Sequence, residues 1–348
     1  MYTTHRLGQT CLLASTLALL SLTASAAANA ADSAASPSAA PAATQAASTA
    51  KPDKKPAAGG GGIGWEKNYE IVPQGKWTGK RTDDGQPDIE GHWSNTVSNH
   101  ANFTDPQGGI PGDPSFERKK NGPRNERAPS RVSDPADGEI PYQPWARAKQ
   151  QEFLQYFFNP IKPEYIEPLA RCAPAGVPKS FYWHGYEIRQ YPNYVVFFFS
   201  SGTRVIHLDG KPHLPANIKL WNADSRGHWE GNTLVVDVTN SNGKARFSRT
   251  GDFASENATF QEKYIFANDG KHYTYQTVVT DPTVYTRPFT VTIPARRYML
   301  DDKPNGWHFE VYINKRDAKG GTPTIEREER ICVENNGGFG QADHGTKK

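Results

Sequence analysis

Glu262 lies in the run ATFQEKYIFA (258–267), with Phe260, Tyr264 and Phe266 at alternate positions. The turn signal Asn268-Asp269-Gly270-Lys271 joins this run to HYTYQTVVT (272–280). With Asp269-Gly270 as the loop, the pattern predicts that Phe266 faces Tyr273, Tyr264 faces Tyr275 and Glu262 faces Thr277. Strand alternation then sets one carboxylate among the rings of Phe260, Tyr264, Phe266, Tyr273 and Tyr275. Desolvation there would suit Glu262 to general acid or base chemistry. The plain alternatives are an ion pair with Arg or Lys from a neighbouring strand, or a solvated face.

Two histidines join it as catalytic candidates. His184 is expected to share a strand face with Tyr182, Tyr186 and Ile188, and His207 with Thr203 and Val205. Imidazoles on such faces suit proton transfer near neutral pH, although each also fits a hydrogen-bonded core histidine. Tyr182, Tyr186, Tyr264, Tyr275 and Trp229 are the expected substrate-binding rings. Arg287, after the Asp281-Pro282 turn, would orient an acidic or phenolic group if it is not simply solvated. His213 follows Pro212 in a loop, a position that favours function. His207, His213, His228 and Asp209 could converge, but their spacing matches no metal-ligand pattern, and no metal is expected. Asp237 sits in an otherwise apolar strand. A buried carboxylate must be paired or neutral, so Arg226, across the Glu230-Gly231-Asn232 turn, is its expected partner in a structural clamp.

The elements that must position these side chains are mostly strands. Strand-like runs occur at 181–191, 194–200, 203–208, 226–229, 233–238, 258–267 and 272–280, with more at 288–298, 307–314 and 324–333. Nine or more strands joined by short turns predict an all-β fold, an antiparallel lipocalin-like β-barrel or a sandwich, with the barrel favoured by consecutive strand order and expected to have a ligand-sized mouth. The segment 104–178 holds 13 of the 27 prolines, which disfavours long helices and central strands. Its exception is 142–158, where Ala146, Gln150, Phe153, Leu154, Phe157 and Phe158 fall at helical spacing. The expected organisation is a proline-rich wrap with one amphipathic helix (63–178), a β domain (179–336) forming one unit with it, and a flexible tail (337–348).

The start of the chain reads as an address. Residues 11–24 form an apolar run, followed by Ala24-Ser25-Ala26 and Ala28-Asn29-Ala30, as in a secretory signal peptide spanning 1–30. Residues 31–62, with 12 Ala and no Val, Ile, Leu, Met or aromatic residue, read as a disordered Ala/Ser/Pro/Gly tether. A periplasmic or secreted location follows. Loss of Arg6 with the signal leaves 39 basic against 37 acidic residues, a net charge of +2. That near-neutrality argues against a dedicated nucleic-acid binder, and the mean hydropathy of -0.72 excludes a polytopic membrane protein. Of three cysteines, only Cys172 and Cys332 would survive export, and an even pair in an oxidising compartment predicts a disulfide. No P-loop, Rossmann unit, H-E-x-x-H or C-x-x-C is present, so no organic cofactor is expected.

The stretch Asp224-Ser225-Arg226-Gly227-His228-Trp229-Glu230-Gly231-Asn232-Thr233-Leu234-Val235-Val236-Asp237 resembles the signature of a large, poorly characterised family of secreted bacterial proteins, G-x-S-x-G-x-W-E-G-x-T-L-V-V-D-T. Further matches in the same order run from Arg171-Cys172-Ala173-Pro174 to Cys332-Val333-Glu334-Asn335-Asn336, so the resemblance covers about 165–336. Val238 stands where Thr is usual, and Ala254 where His often precedes Ser-Glu. The resemblance implies secretion and a β fold rather than a particular reaction. The residues themselves point to an exported, cofactor-independent enzyme using acid–base chemistry on a small aromatic compound, such as an aryl ether derived from lignin. A lipocalin-like binding protein for aromatic ligands and a structural subunit of an envelope complex are the alternatives. The oligomeric state is left open.

Overall fold

The computed structural model describes residues 75–95, 102–106, 108, 128–183, 185–199 and 201–297, together with the backbone of two short strands at 311–314 and 324–327. All of these fall in one compact unit, Ala57–Lys348. The expected signal segment, tether and tail, His184 and Cys332 lie outside the described residues. Cys172 is disulfide-bonded.

Nine strands close into a barrel: β1 (Gly91–Asn95), β3 (Tyr186–Tyr191), β4 (Tyr194–Phe199), β5 (Gly202–His207), β6 (Asp224–Glu230), β7 (Thr233–Thr239), β8 (Thr259–Phe266), β9 (His272–Thr280) and β10 (Phe289–Arg297). β1 pairs with β10 through Trp93↔Arg297 and closes the ring, while the first half of β10 carries the short β2 (Val132–Asp134). Closure removes the exposed sheet edges that a sandwich would keep. The barrel is mixed rather than wholly antiparallel, because β5 and β6 run parallel at His207↔Arg226. A parallel neighbour needs a long return, and residues 208–223 supply one that lies across the outside of the seam. β11 (Val311–Asn314) and β12 (Thr324–Arg327) form a separate antiparallel pair.

Turn chemistry fixes the register. Pro192 and Asn193 link Tyr191 to its partner Tyr194, with Asn193 at φ 68, the left-handed backbone that Asn tolerates. In the β8–β9 hairpin Glu262 faces Thr277, Tyr264 faces Tyr275 and Phe266 faces Tyr273, the register expected from the Asp-Gly turn. Period-two alternation then turns Phe260, Glu262, Tyr264 and Phe266 inward, and all four are buried.

One stretch departs from the strand reading. Ser180–Trp183 is a short helical turn, α2, in place of the start of a strand. The Phe181 and Tyr182 rings are both buried, whereas consecutive strand residues would point to opposite faces. Phe181 stacks on Tyr275 at 4.4 Å inside the barrel, and Tyr182 stacks on Phe103 at 4.5 Å. The helix expected in the proline-rich wrap is α1 (Pro144–Gln155), starting with Pro at its first turn and burying Ala146, Gln150 and Phe153.

Candidate functional site

Inside the barrel, Glu262 is 0% and Arg204 2% exposed. Arg204 reaches across from β5, three strands from β8 around the ring, and grips Glu262 with both terminal nitrogens at 3.1 and 2.7 Å. Tyr264 and Tyr275 donate to the same carboxylate at 3.0 and 2.7 Å, and Arg204 also donates to Ser225 Oγ at 3.2 and 2.9 Å. Burial raises both phenols well above the ordinary tyrosine range. For Arg204 burial disfavours the charge, but the Glu262 carboxylate and the adjoining phenols outweigh it, so the guanidinium stays above its usual value. A bidentate charged pair with its remaining lone pairs filled has the geometry that makes burial tolerable. The arrangement holds a charge pair and two protonated phenols away from water.

The outer face of the same sheet differs. In successive pairings, Tyr191, Tyr194, His207, Arg226, Asp237 and Gln261 form one row across β3 to β8. The rings of Tyr191 and Tyr194 stack at 5.1 Å and are 45% and 37% exposed. Above this row the 208–223 strap brings His213 Nδ1 to 2.8 Å from Asp224 Oδ2. The same oxygen accepts the Leu214 amide at 3.0 Å and Arg226 Nε at 3.3 Å, while Arg226 also donates to Asp209 Oδ1 at 3.2 Å. Lys211 Nζ adds a contact to Asp209 at 3.1 Å. Desolvation works against the Asp224 charge, but bonds from Leu214, His213 and Arg226 outweigh it and hold the carboxyl below the usual carboxylate range. Asp224 is 4% exposed under the strap, whereas the His213 side chain is 28% exposed. An imidazole oriented through Nδ1 by a carboxylate, in a side chain partly open to solvent, can take or give a proton.

The remaining expected site residues are distributed as follows. The hydroxyls of Tyr186 and Tyr273 bond to each other, and that of Tyr182 donates to the Asn102 carbonyl; all three rings are buried. Trp229 lies 6.1 Å from Phe266, and its buried Nε1 has no hydrogen-bond partner among the described residues. Arg287 pairs with Asp134 at 2.6 Å on the surface. His228 contacts Glu230 at 3.0 Å, also on the surface. The expected Asp237–Arg226 clamp does not form. The two are register partners, but Asp237 is exposed and Arg226 turns to Asp209 and Asp224. The strand buries Leu234, Val236 and Val238 instead, leaving Thr233, Val235 and Asp237 on the opposite face.

Sequence reasoning missed Arg204 and Asp224. The alternation that put Thr203, Val205 and His207 on one face of β5 also put Arg204 beside Ile206 on the other, which was the available signal. For Asp224 its own strand offered only Arg226, two residues on; its other partners, His213 and Leu214, come from a loop about ten residues away in sequence. Among the described residues, no group of three or more His, Cys, Asp or Glu side chains is placed to hold a metal ion, and no helix is long and apolar enough to cross a membrane. No family model, curated protein or solved structure matches this chain.

Proposed function

We propose that this chain is an exported enzyme that acts without an organic cofactor on a small aromatic compound, with His213 and Asp224 carrying proton transfer on the outer face of the barrel. The observation that carries the reading is the 2.8 Å contact between His213 Nδ1 and a carboxylate fixed by two further donors. With Nδ1–H donated to Asp224, Nε2 serves as the base, and the resulting imidazolium is stabilised by the carboxylate. His207 lies between Tyr194 and Arg226 in the adjoining row and supplies a second imidazole. The Tyr191–Tyr194 stack offers an exposed aromatic surface for a ring to rest on. Cleavage of an aryl ether by elimination fits these parts: His213 Nε2 removes a proton from the carbon next to the ether carbon, that C–H pair forms a carbon–carbon double bond, the aryl oxygen leaves with the C–O bonding pair, and the imidazolium returns the proton to it.

Glu262, the other carboxylate in the expected catalytic set, has a different role in this reading. With both oxygens occupied by Arg204, Tyr264 and Tyr275, it organises the barrel interior.

The test is incubation of the purified, processed protein with a mixture of lignin-derived aryl ethers and aromatic glycosides, followed by mass spectrometry. The wild type should convert at least one compound. His213→Gln and Asp224→Asn should not, while His213→Gln melts as the wild type does and Asp224→Asn stays folded. Conversion of nothing by the wild type, or full conversion by both variants, overturns the proposal. A ligand that shifts melting without being converted would favour the non-catalytic aromatic-binding alternative, which rests on the same tyrosine stack.

A further inference from the structure

We infer that Asn240 is the clasp that assembles the His213–Asp224 pair, and thus a positioning residue for the site proposed above; its importance for turnover rests on that reading, and its structural action does not. The strap 208–223 has no strand or helix of its own, so its shape must be imposed from outside. Asn240, at the end of β7, is 8% exposed. Its Nδ2 lies 3.2, 2.9 and 2.9 Å from the carbonyl oxygens of Leu214, Pro215 and Ile218. Its own carbonyl accepts the Leu220 amide at 2.8 Å, and Thr239 Oγ1 donates to its Oδ1 at 2.6 Å. The three strap carbonyls can only accept, so they fix which end of the amide is nitrogen, and the Thr239 hydroxyl meets the oxygen.

Leu214 is where the clasp meets the site. Its carbonyl is held by Asn240 and its amide by Asp224, and the residue before it is His213. The backbone that carries the imidazole is therefore gripped from both sides of one peptide-bonded residue. Asp224 and Arg226 sit on β6 and do not depend on the strap for their position. Loss of the clasp should thus move the imidazole away from a carboxylate that stays in place. Asn also suits the backbone here, because Asn240 has φ 62, a left-handed conformation that Asn and Gly adopt most readily. Asn240→Gly accordingly removes the side-chain clasp while keeping the backbone, whereas Asn240→Ala removes the clasp and adds strain.

The experiment is hydrogen exchange and ring-nitrogen NMR on the full processed protein and on Asn240→Gly. In the variant, protection of the Leu214 amide should fall at least tenfold, and His213 should lose the signature of a fixed Nδ1–H tautomer. Amides in β8 and β9 should keep their protection. Unchanged Leu214 protection and an unchanged His213 ring overturn the inference. Should the variant fail to fold, exchange of the wild type in low denaturant decides. The amides of Leu214, Ile218 and Leu220 should then open together, below the free energy of global unfolding, and independent opening overturns the inference. The clasp and the catalytic reading fail separately. A loosened pair with unchanged turnover sinks the catalytic reading alone; lost turnover with an intact pair sinks the clasp alone.

Discussion

Glu262 and Asp224 are both carboxylates almost closed to solvent, and each is held by an arginine and by further donors. They differ in what lies one layer out. Around Glu262 the partners Arg204, Tyr264 and Tyr275 are themselves buried, as is Ser225 beyond Arg204, so the network ends inside the barrel. Around Asp224 the partners His213 and Arg226 are 28% and 17% exposed, and Arg226 continues to the partly exposed Asp209. Similar groups therefore serve opposite ends. A charge pair closed inside the barrel serves the fold, while a pair with one partner partly exposed lies within reach of a substrate.

The largest effect that would sharpen this contrast comes from the interior. Arg204→Met leaves Glu262 buried without its cation, and removing one partner of such a pair costs about 3–5 kcal/mol. Urea unfolding at neutral pH should show that loss. Arg204→Met combined with Glu262→Leu should recover a substantial part of it, since no uncompensated charge remains. A loss under about 1 kcal/mol in the single variant would mean that water reaches Glu262, and the two regions would then be alike. Tyr275→Phe should act more gently. The ring keeps its place against Phe181 and only the bond to Glu262 disappears, at a cost of about 1.5–3 kcal/mol for a hydrogen bond to a charged group.

The outer pair should show the reverse pattern, with large effects on chemistry and small ones on stability. His213→Gln should lower turnover by about 10²- to 10⁴-fold, the range for a lost general acid or base, with little change in melting. Asp224 adds a pH signature. Its folded carboxyl lies below the usual range, because its donors outweigh desolvation. Such a group contributes stability above the unfolded value of about 3.9, and that contribution is lost as pH falls through the lower folded value. Wild type and Asp224→Asn should therefore differ most at pH 5–7 and converge in acid when urea midpoints are compared. Curves that stay parallel down to the acid limit would remove Asp224 from the charged outer network.

Much of the interior was legible in the sequence and much of the exterior was not, for a physical reason. The neighbours of Glu262 on β8 and β9 follow from period-two alternation and an Asp-Gly turn, both local signals. Its cation was not local: Arg204 lies 58 residues away and reaches Glu262 only once the barrel has closed. The His213–Asp224 pair depends on an irregular strap whose path is set by side chains such as Asn240, and no periodicity encodes that. Phe181 and Tyr182 were misread because aromatic runs satisfy strand propensity and a buried helical turn equally well.

The smallest expected effect tests the one place where local reasoning placed a partner on the correct strand and position but the bond did not form. Asp237 is opposite Arg226 in the β6–β7 register, so pairing alone predicts a clamp. Arg226 has two carboxylates nearer the strap, and its Nε and terminal nitrogen go to Asp224 and Asp209 at 3.3 and 3.2 Å. Asp237, one strand farther from the strap, faces water. Asp237→Asn should then change stability by no more than about 0.5 kcal/mol, as at an ordinary surface site. In a double-mutant cycle with Arg226→Gln, the coupling should be near zero for Asp237 and clearly favourable for Asp224. Equal coupling at the two positions would mean that Arg226 swings between strap and strand in solution, and that the ordered outer network is only one of its arrangements.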